Sequence, residues 1–343
     1  MAIVEIGRRC KDGRNTVIAL DHHRSGLLDL QTSLRFALAA TILVMGWIVF
    51  AVVVGGVLTL DLGLFHRKSR EITIREALAW SAFWVALALA FNAGIYLWRG
   101  PQAASQFLTG YLIEKSLSLD NIFVFYLILN HFRVQREYHH TVLFWGIIGA
   151  LAMRIVFILA GIALIERFEW IIYPFGAFLI FSGTRMFSKK ESGVNPERSP
   201  VLRLSRRLLP VTENFQAGHF FVRRDGALLA TPLFIVLLVV ETTDIVFALD
   251  SIPAILAITA DAFIVYTSNV FAILGLRALY FVLAGMMGRF EYLHYGLGAM
   301  LVFIGMKMTL SHIVSVPVPV TMVVIVLILG LSILVSLGKT KKM

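Results

Sequence analysis

Five carboxylates lie where a bilayer interior would be expected: Glu114 and Asp120 in "GYLIEKSLSLDNIFVF" (110–125), and Glu241, Asp244 and Asp250 in "VVETTDIVFALDSIP" (239–253). An acid at the centre of a membrane span costs about 2.5–3.5 kcal/mol on insertion scales, so five left charged in lipid would cost on the order of 12–17 kcal/mol. Such residues must face inward and find partners. Lys115, Arg154 and Arg277 are the deep cations, while Arg185 and Lys307 stand near span ends where they can snorkel. Three cations against five anions leave the interior short of two positive charges. Ser116, Ser118, Asn121, Thr242, Thr243 and Ser251 add the hard oxygen ligands that Mg, Ca and Mn prefer. The expected ligand is therefore a divalent cation, held by Glu114, Asp120, Glu241, Asp244 and Asp250, with Lys115, Asn121, Arg154, Thr243, Ser251 and Arg277 as polar support or counter-charge. Clustered acids repel one another when empty, so protons can replace the metal, and metal affinity should fall in acid. The competing reading is structural: the acids pair with the cations only to fix helix register.

The elements that must position these residues are membrane spans. Of 343 residues, 58% are hydrophobic and 15% charged, with a mean hydropathy of +0.82; soluble domains carry about 25% charged residues. Turn and charge signals predict an all-α polytopic membrane protein of about nine helices, at 37–60, 75–98, 105–130, 141–164, 168–187, 227–252, 262–286, 293–313 and 317–338.

The two halves of this array share motifs. "GAFLIFSGTRM" (176–186) aligns with "GAMLVFIGMKM" (298–308), identical at six of eleven positions; "RIVFILAG" (154–161) resembles "RALYFVLAG" (277–285), and "LDNI" (119–122) resembles "LDSI" (249–252). Glu114 thereby aligns with Asp244, and Asp120 with Asp250. The first trio begins at the third span and the second at the sixth, which predicts an inverted 3+3 repeat, an architecture of secondary transporters that bind substrate near the midplane on interrupted helices. Pro253, close after Asp250, is the expected interruption. Six residues turn a straight helix by roughly 240°. The two acids of each pair therefore converge only across a broken helix, unless one serves the site and the other its approach. Glu241, three residues before Asp244, shares its face. Gly146, Gly149, Gly161, Gly176, Gly183, Gly296, Gly298 and Gly305 should allow close helix packing. The expected organisation is an N-terminal extension (1–36), a transporter domain (37–338) with repeat A (105–187), a cytoplasmic loop (188–225) and repeat B (227–313), and a basic tail (339–343).

Charge fixes the expected topology. Alternate loops from 66–75 onward hold eighteen lysines and arginines, against Arg99 and Arg167 on the other side, which places the C-terminus in the cytoplasm and the N-terminus outside a bacterial inner membrane. The basic tail residues 8–35 run against this rule, and a start at Met45 would open directly on a span. The net charge of +10 is dispersed among loops, not gathered on one aromatic-studded face, so a nucleic-acid partner is not expected. The expected partners are the lipid bilayer, a divalent metal ion and protons, and a homo-oligomer is compatible with them. Cys10 alone excludes an intramolecular disulfide or a thiolate metal cluster. The chain lacks HExxH, a GxSxG elbow beside a histidine and a Walker loop, so no enzyme and no resident cofactor are expected. Asp61 is read as an interfacial acid, His131, His139 and His140 as a solvated loop, and the arginine-rich loop 188–225 as a segment drawn to anionic headgroups.

The stretches 110–125, 239–259 and "TSNVFAILGLRALYF" (267–281), together with "FGAFLIFSGTRMF" and "HFFVRRDGALLATPL", resemble the TerC family of integral membrane proteins, close to its branch of Alx-type manganese exporters. The resemblance covers roughly residues 45–335 and leaves out the N-terminal extension. It implies nine spans, a place among LysE-like exporters, manganese efflux, and acidic site positions at Glu114, Asp120, Glu241, Asp244 and Asp250. The family takes its name from tellurium resistance, which does not make tellurium the transported species. The functional expectation is a secondary exporter of divalent cations, Mn²⁺ foremost, against a membrane scaffold or stress-resistance complex component as the alternative.

Overall fold

A computed structural model of the chain describes residues 41, 44–57, 59, 74–188, 210–212, 218–224, 227–284 and 293–340. The expected extension 1–36, Asp61 and most of the loop 188–225 lie outside the described residues. The chain divides into two units, residues 1–69 and 70–343. The first contributes the apolar helix α1 (Val44–Val57).

The second unit is helical. Its elements are α2 (Ile74–His131), α3 (Arg136–Arg167), a short 3₁₀ turn (Glu169–Ile171), α4 (Ile172–Ser188), the hairpin strands β1 (Phe221–Arg224) and β2 (Ala227–Ala230), α5 (Pro232–Leu256), α6 (Ala262–Leu274), α7 (Leu276–Ala284), α8 (Leu293–Thr309) and α9 (Val318–Thr340). Among the described residues, six stretches are long and apolar enough to cross a membrane: Arg75–His131, Arg136–Arg167, Glu169–Phe187, Pro232–Leu256, Ala262–Leu283 and Val318–Ser336.

At 58 residues α2 would be about 87 Å long if straight, nearly three times a hydrocarbon core. It is not straight. Gly100 holds φ 86° and ψ 178°, a conformation open essentially to glycine alone, and Pro101 then starts a new helix without needing its missing N–H. The rings of Phe91 and Phe107 stand 5.6 Å apart, whereas sixteen residues of straight helix would separate them by about 24 Å. The chain thus folds back at Gly100 into two limbs, 74–99 and 101–131. The expected loop between 98 and 105 shrinks to this one glycine.

Polarity is inverted relative to a water-soluble protein. Leu97, Leu334 and Val156 are 86%, 67% and 66% exposed, while Glu114, Arg154 and Asn269 are buried. An apolar exterior around a charged interior is the arrangement a bilayer demands. The α6–α7 segment is the most enclosed span, 78% of its apolar window being buried. It packs against α2, and α6 also touches α3.

Helices α4 and α8 form the most extensive helix pair. A Cβ on Gly183 would meet the carbonyl oxygen of Gly298 at 2.6 Å, and one on Gly305 would meet that of Gly176 at 2.7 Å. Early positions of one helix face late positions of the other, so the two run antiparallel with backbones in contact. Beneath them Leu179, Leu297, Met300, Leu301 and Ile304 build one apolar core, and Ile158, Ile162, Ile252 and Ile255 join α3 to α5 in another.

Two local expectations are corrected. Residues 227–230 form β2, paired antiparallel with β1, and α5 begins only at Pro232. Nor does Pro253 break α5: the helix runs on to Leu256, because a proline one turn from the end removes a single hydrogen bond that the helix can forgo there.

Candidate intramembrane ion site

With both acid-bearing helices continuous through their acid pairs, the acids of a pair point in different directions. Glu114 on the second limb of α2 and Asp244 on α5 converge, although they come from different halves of the chain. They are 1% and 4% exposed. Between them lies Arg154 of α3, also 1% exposed, with Nη1 at 2.5 Å from Glu114 Oε1 and Nε at 3.9 Å from Asp244 Oδ2. The same Nη1 donates to Asn269 Oδ1 on α6 and, at 3.5 Å, to Ser251 Oγ on α5. Four helices therefore meet at one guanidinium.

The cluster is charged, buried and under-bonded. Although Arg154 is close to Glu114, both Glu114 oxygens, Asp244 Oδ2, Arg154 Nε and Asn269 Nδ2 lack a hydrogen-bond partner of good geometry. Leaving such atoms unpaired away from water is costly, so this is a place where a further ligand would be welcome. A cavity of about 10 Å³ adjoins it, lined by Ser118, Asn121, Arg154, Asp244, Arg277 and Tyr280 among others. That is room for about one water molecule or a bare ion.

The other sequence candidates stand around this centre. Asp250 is half-buried and accepts a 2.7 Å hydrogen bond from Ser182 on α4. Asp120, its counterpart in the repeat, is half-buried within electrostatic reach of His294 on α8. Glu241 lays its carboxylate against Gly149 of α3, where a Cβ would collide with it. Thr243 bonds its own helix at Val239 O, 2.7 Å away. Asn121 is buried and lines the cavity. Lys115 and Arg277, expected as partners of the acids, hold other groups: Lys115 Nζ donates to Ala272 O at 3.1 Å, and Arg277 Nη1 to His140 Nε2 at 2.8 Å. Among the described residues no three Asp, Glu, His or Cys side chains gather as a ready metal cage.

Two groups were missed by sequence reasoning. Asn269, fully buried, sits in the run Thr267–Ser268–Asn269, three polar residues in an otherwise apolar helix, which was the available signal. His139 and His140, read as a solvated loop, belong instead to the first turns of α3. His139 is buried between Val134 O (3.0 Å from Nε2) and the Tyr280 hydroxyl (3.1 Å from Nδ1). Since a carbonyl only accepts, Nε2 carries the proton and Nδ1 receives that of Tyr280.

Residues 99–343 match the integral membrane protein TerC family, a span that holds the whole cluster from Glu114 to Arg277. The chain belongs to the TerC family. Its relatives in the family are close. An uncharacterized membrane protein of Myxococcus xanthus is 52% identical over 295 residues, covering 86% of this chain and 92% of the relative. A protein of Escherichia coli K12 named as a proposed membrane-bound redox modulator, Alx, is 47% identical over 283 residues, covering 79% of this chain and 87% of its own length. A Rickettsia bellii membrane protein is 43% identical over 273 residues, 80% and 90% of the two chains. No solved structure matches the chain. The family match starts beside the Gly100 break, whereas the 295-residue alignment with the Myxococcus relative, in a chain of 343, takes in the first limb of α2 as well.

Proposed function

We propose that this TerC protein is a secondary transporter that exports a divalent metal cation, Mn²⁺ foremost, from the cytoplasm, with Glu114 and Asp244 at the centre of its pathway. One observation carries the reading: two carboxylates from the two halves of the chain meet in a solvent-excluded cluster, and their oxygens are not saturated by hydrogen bonds. Neutral oxygens of Ser251 and Asn269, with Ser118 and Asn121 beside the adjoining cavity, complete a hard-ligand environment. A bound cation would exchange the oxygens of its water shell for these.

The inverted repeat is part of the proposal. In the alignment Gly176 corresponds to Gly298 and Gly183 to Gly305. The contact of Gly183 with Gly298 therefore recurs as that of Gly176 with Gly305, with roles exchanged, as a two-fold axis between the halves requires. Asp250 facing α4 and Asp120 facing α8 obey the same exchange. These outer acids are assigned to the two approaches and Glu114–Asp244 to the midpoint, which fits alternating access around a fixed site. The loop charges support a cytoplasmic C-terminus and an outer N-terminus in a bacterial inner membrane. Exchange against protons is part of the proposal: acids outside the Glu114–Asp244 pair would take up protons once the metal leaves. The redox activity in the relatives' name is not carried over, because Cys10 has no second cysteine to pair with in the chain.

The test is cellular manganese, measured by elemental analysis after a manganese load, in cells lacking their own exporters and carrying the native chain or Asp244→Asn at matched membrane levels. The native chain should lower manganese and the variant should not. Unchanged manganese with both would overturn the export reading. An equal fall with both would remove Asp244 from the pathway.

A further inference from the structure

The guanidinium of Arg154 occupies the place between Glu114 and Asp244 that a cation bound by both would need. Building on the export reading, we infer that Arg154 is a tethered stand-in for the transported cation: it neutralises the pair while the site is empty and withdraws when a divalent ion enters.

Charge balance supports the exchange. Two ionised carboxylates and one guanidinium sum to minus one. A dication added beside Arg154 would leave the buried cluster at plus one, while a dication in its place leaves the carboxylates neutralised. Charge buried without compensation is the costlier arrangement. Geometry agrees. Arg154 is held closely by Glu114, Nη1 to Oε1 at 2.5 Å, but loosely by Asp244: that contact, at 3.9 Å, is too long for a hydrogen bond, and Nε lacks a partner. Its hydrogen bonds go to the neutral side chains Asn269 and Ser251, which provide a berth that does not depend on the carboxylates. The helix that carries it packs closely on α5. Along α3, Gly146, Gly149 and Gly161 face Val240, Glu241 and Leu256 of α5, a seam with no α3 side chains at these three points.

The stand-in gives the empty transporter a way to return without two bare acids facing each other in an apolar interior. Protons are then not needed on Glu114 and Asp244 for the return step. Any proton exchange falls to Asp120, Glu241 and Asp250.

The experiment is Mn²⁺ titration of the purified full-length chain in lipid nanodiscs, followed by the electron paramagnetic resonance signal of free aqueous Mn²⁺. The proteins are the native chain, Arg154→Gln and Arg154→Lys, each with and without Asp244→Asn. Removing a competing unit charge a few ångströms from the ligands should tighten Mn²⁺ binding by about 10- to 100-fold in Arg154→Gln. Arg154→Lys, which keeps the charge but loses the planar fork, should fall between it and the native chain. Asp244→Asn should abolish the tight binding in every background. In proteoliposomes Arg154→Gln should turn over more slowly despite its affinity, because its empty site no longer resets.

Asp244-dependent binding that is equal or weaker in Arg154→Gln overturns the stand-in and leaves the cation site intact. Asp244-dependent binding that appears only in Arg154→Gln supports it, as a site blocked at rest. No Asp244-dependent binding in any background overturns both the site and the stand-in. If Arg154→Gln does not elute as a single species on size exclusion, the ordering of Arg154→Lys against the native chain decides with the same sign.

Discussion

Adding one methyl group at Gly183 should loosen the α4–α8 pair. A Cβ there would lie 2.6 Å from Gly298 O, 2.8 Å from Val302 Cγ2 and 2.9 Å from Val302 N. Two of these three atoms are backbone, which cannot rotate out of the way, so the helices themselves must part. Overpacking of this kind costs about 1–3 kcal/mol. The matched control is Gly94→Ala, where nothing lies within 4 Å of the new methyl. In an exposed helix that change should stabilise by about 1 kcal/mol through helix propensity. Gly183 also lies inside a helix, so the propensity gain is common to both, and Gly183→Ala and Gly94→Ala should differ by the overpacking cost, roughly 1–3 kcal/mol. Unfolding of the purified protein by SDS titration, followed by tryptophan fluorescence, measures both. Gly298→Ala, which meets Gly183 O at 2.9 Å, should behave like Gly183→Ala. If the two substitutions fall within roughly 0.5 kcal/mol of one another, a surface-like difference, the helices are not in backbone contact and the antiparallel seam is wrong.

Two further outcomes follow from the charged contacts. Glu114→Gln removes the nearer partner of a buried guanidinium and should destabilise the protein by about 3–5 kcal/mol; in the same SDS titration, the double variant with Arg154→Gln should recover part of that loss, and strict additivity would mean the two side chains do not interact. Asp261 both caps α6, accepting from Phe263 N at 2.9 Å and Ile264 N at 3.1 Å, and pairs with Arg99 at 2.7 Å. Asp261→Ala should cost about 1 kcal/mol for the cap and at most about 1 more for the exposed ion pair. Asp261→Asn keeps the cap and should lose only the salt-dependent part, read from the same titration at low and high salt.

Much of this arrangement was legible in the sequence because membrane spans advertise themselves. Long apolar runs mark helices, and an acid within one marks something that must be compensated. The repeat alignment paired Glu114 with Asp244, and these are the two acids that meet. What the sequence left open was which cation meets them. Lys115 follows Glu114 directly and therefore points about 100° away on the helix, toward Ala272. Arg277 aligns with Arg154 yet bonds His140, a residue with no repeat counterpart that composition alone makes look like loop. Pro253 pointed to a break that the helix end absorbs. The hairpin at 221–230 was announced by Asp225–Gly226, a strong turn dipeptide, but the expectation put its first strand in the loop 188–225 and its second at the start of a helix from 227.

The enclosure of α6–α7 bears on how the protein reaches the membrane at all. This segment holds Thr267, Ser268, Asn269 and Arg277 at 6% exposure or less. During synthesis it leaves the ribosome after α2, α3 and α5 and before α8 and α9. Thr267 and Ser268 bond carbonyls of their own helix, but Asn269 and Arg277, released alone into lipid, would lack the partners they have in the bundle and would weigh against insertion. The helices already in place supply the partners: Arg154 of α3 donates to Asn269 Oδ1, and His140 at the start of α3 accepts from Arg277. The centre of the bundle is thus a span whose entry into the bilayer depends on its neighbours having arrived first, and a substitution at Arg154 should be felt in membrane yield as well as in transport.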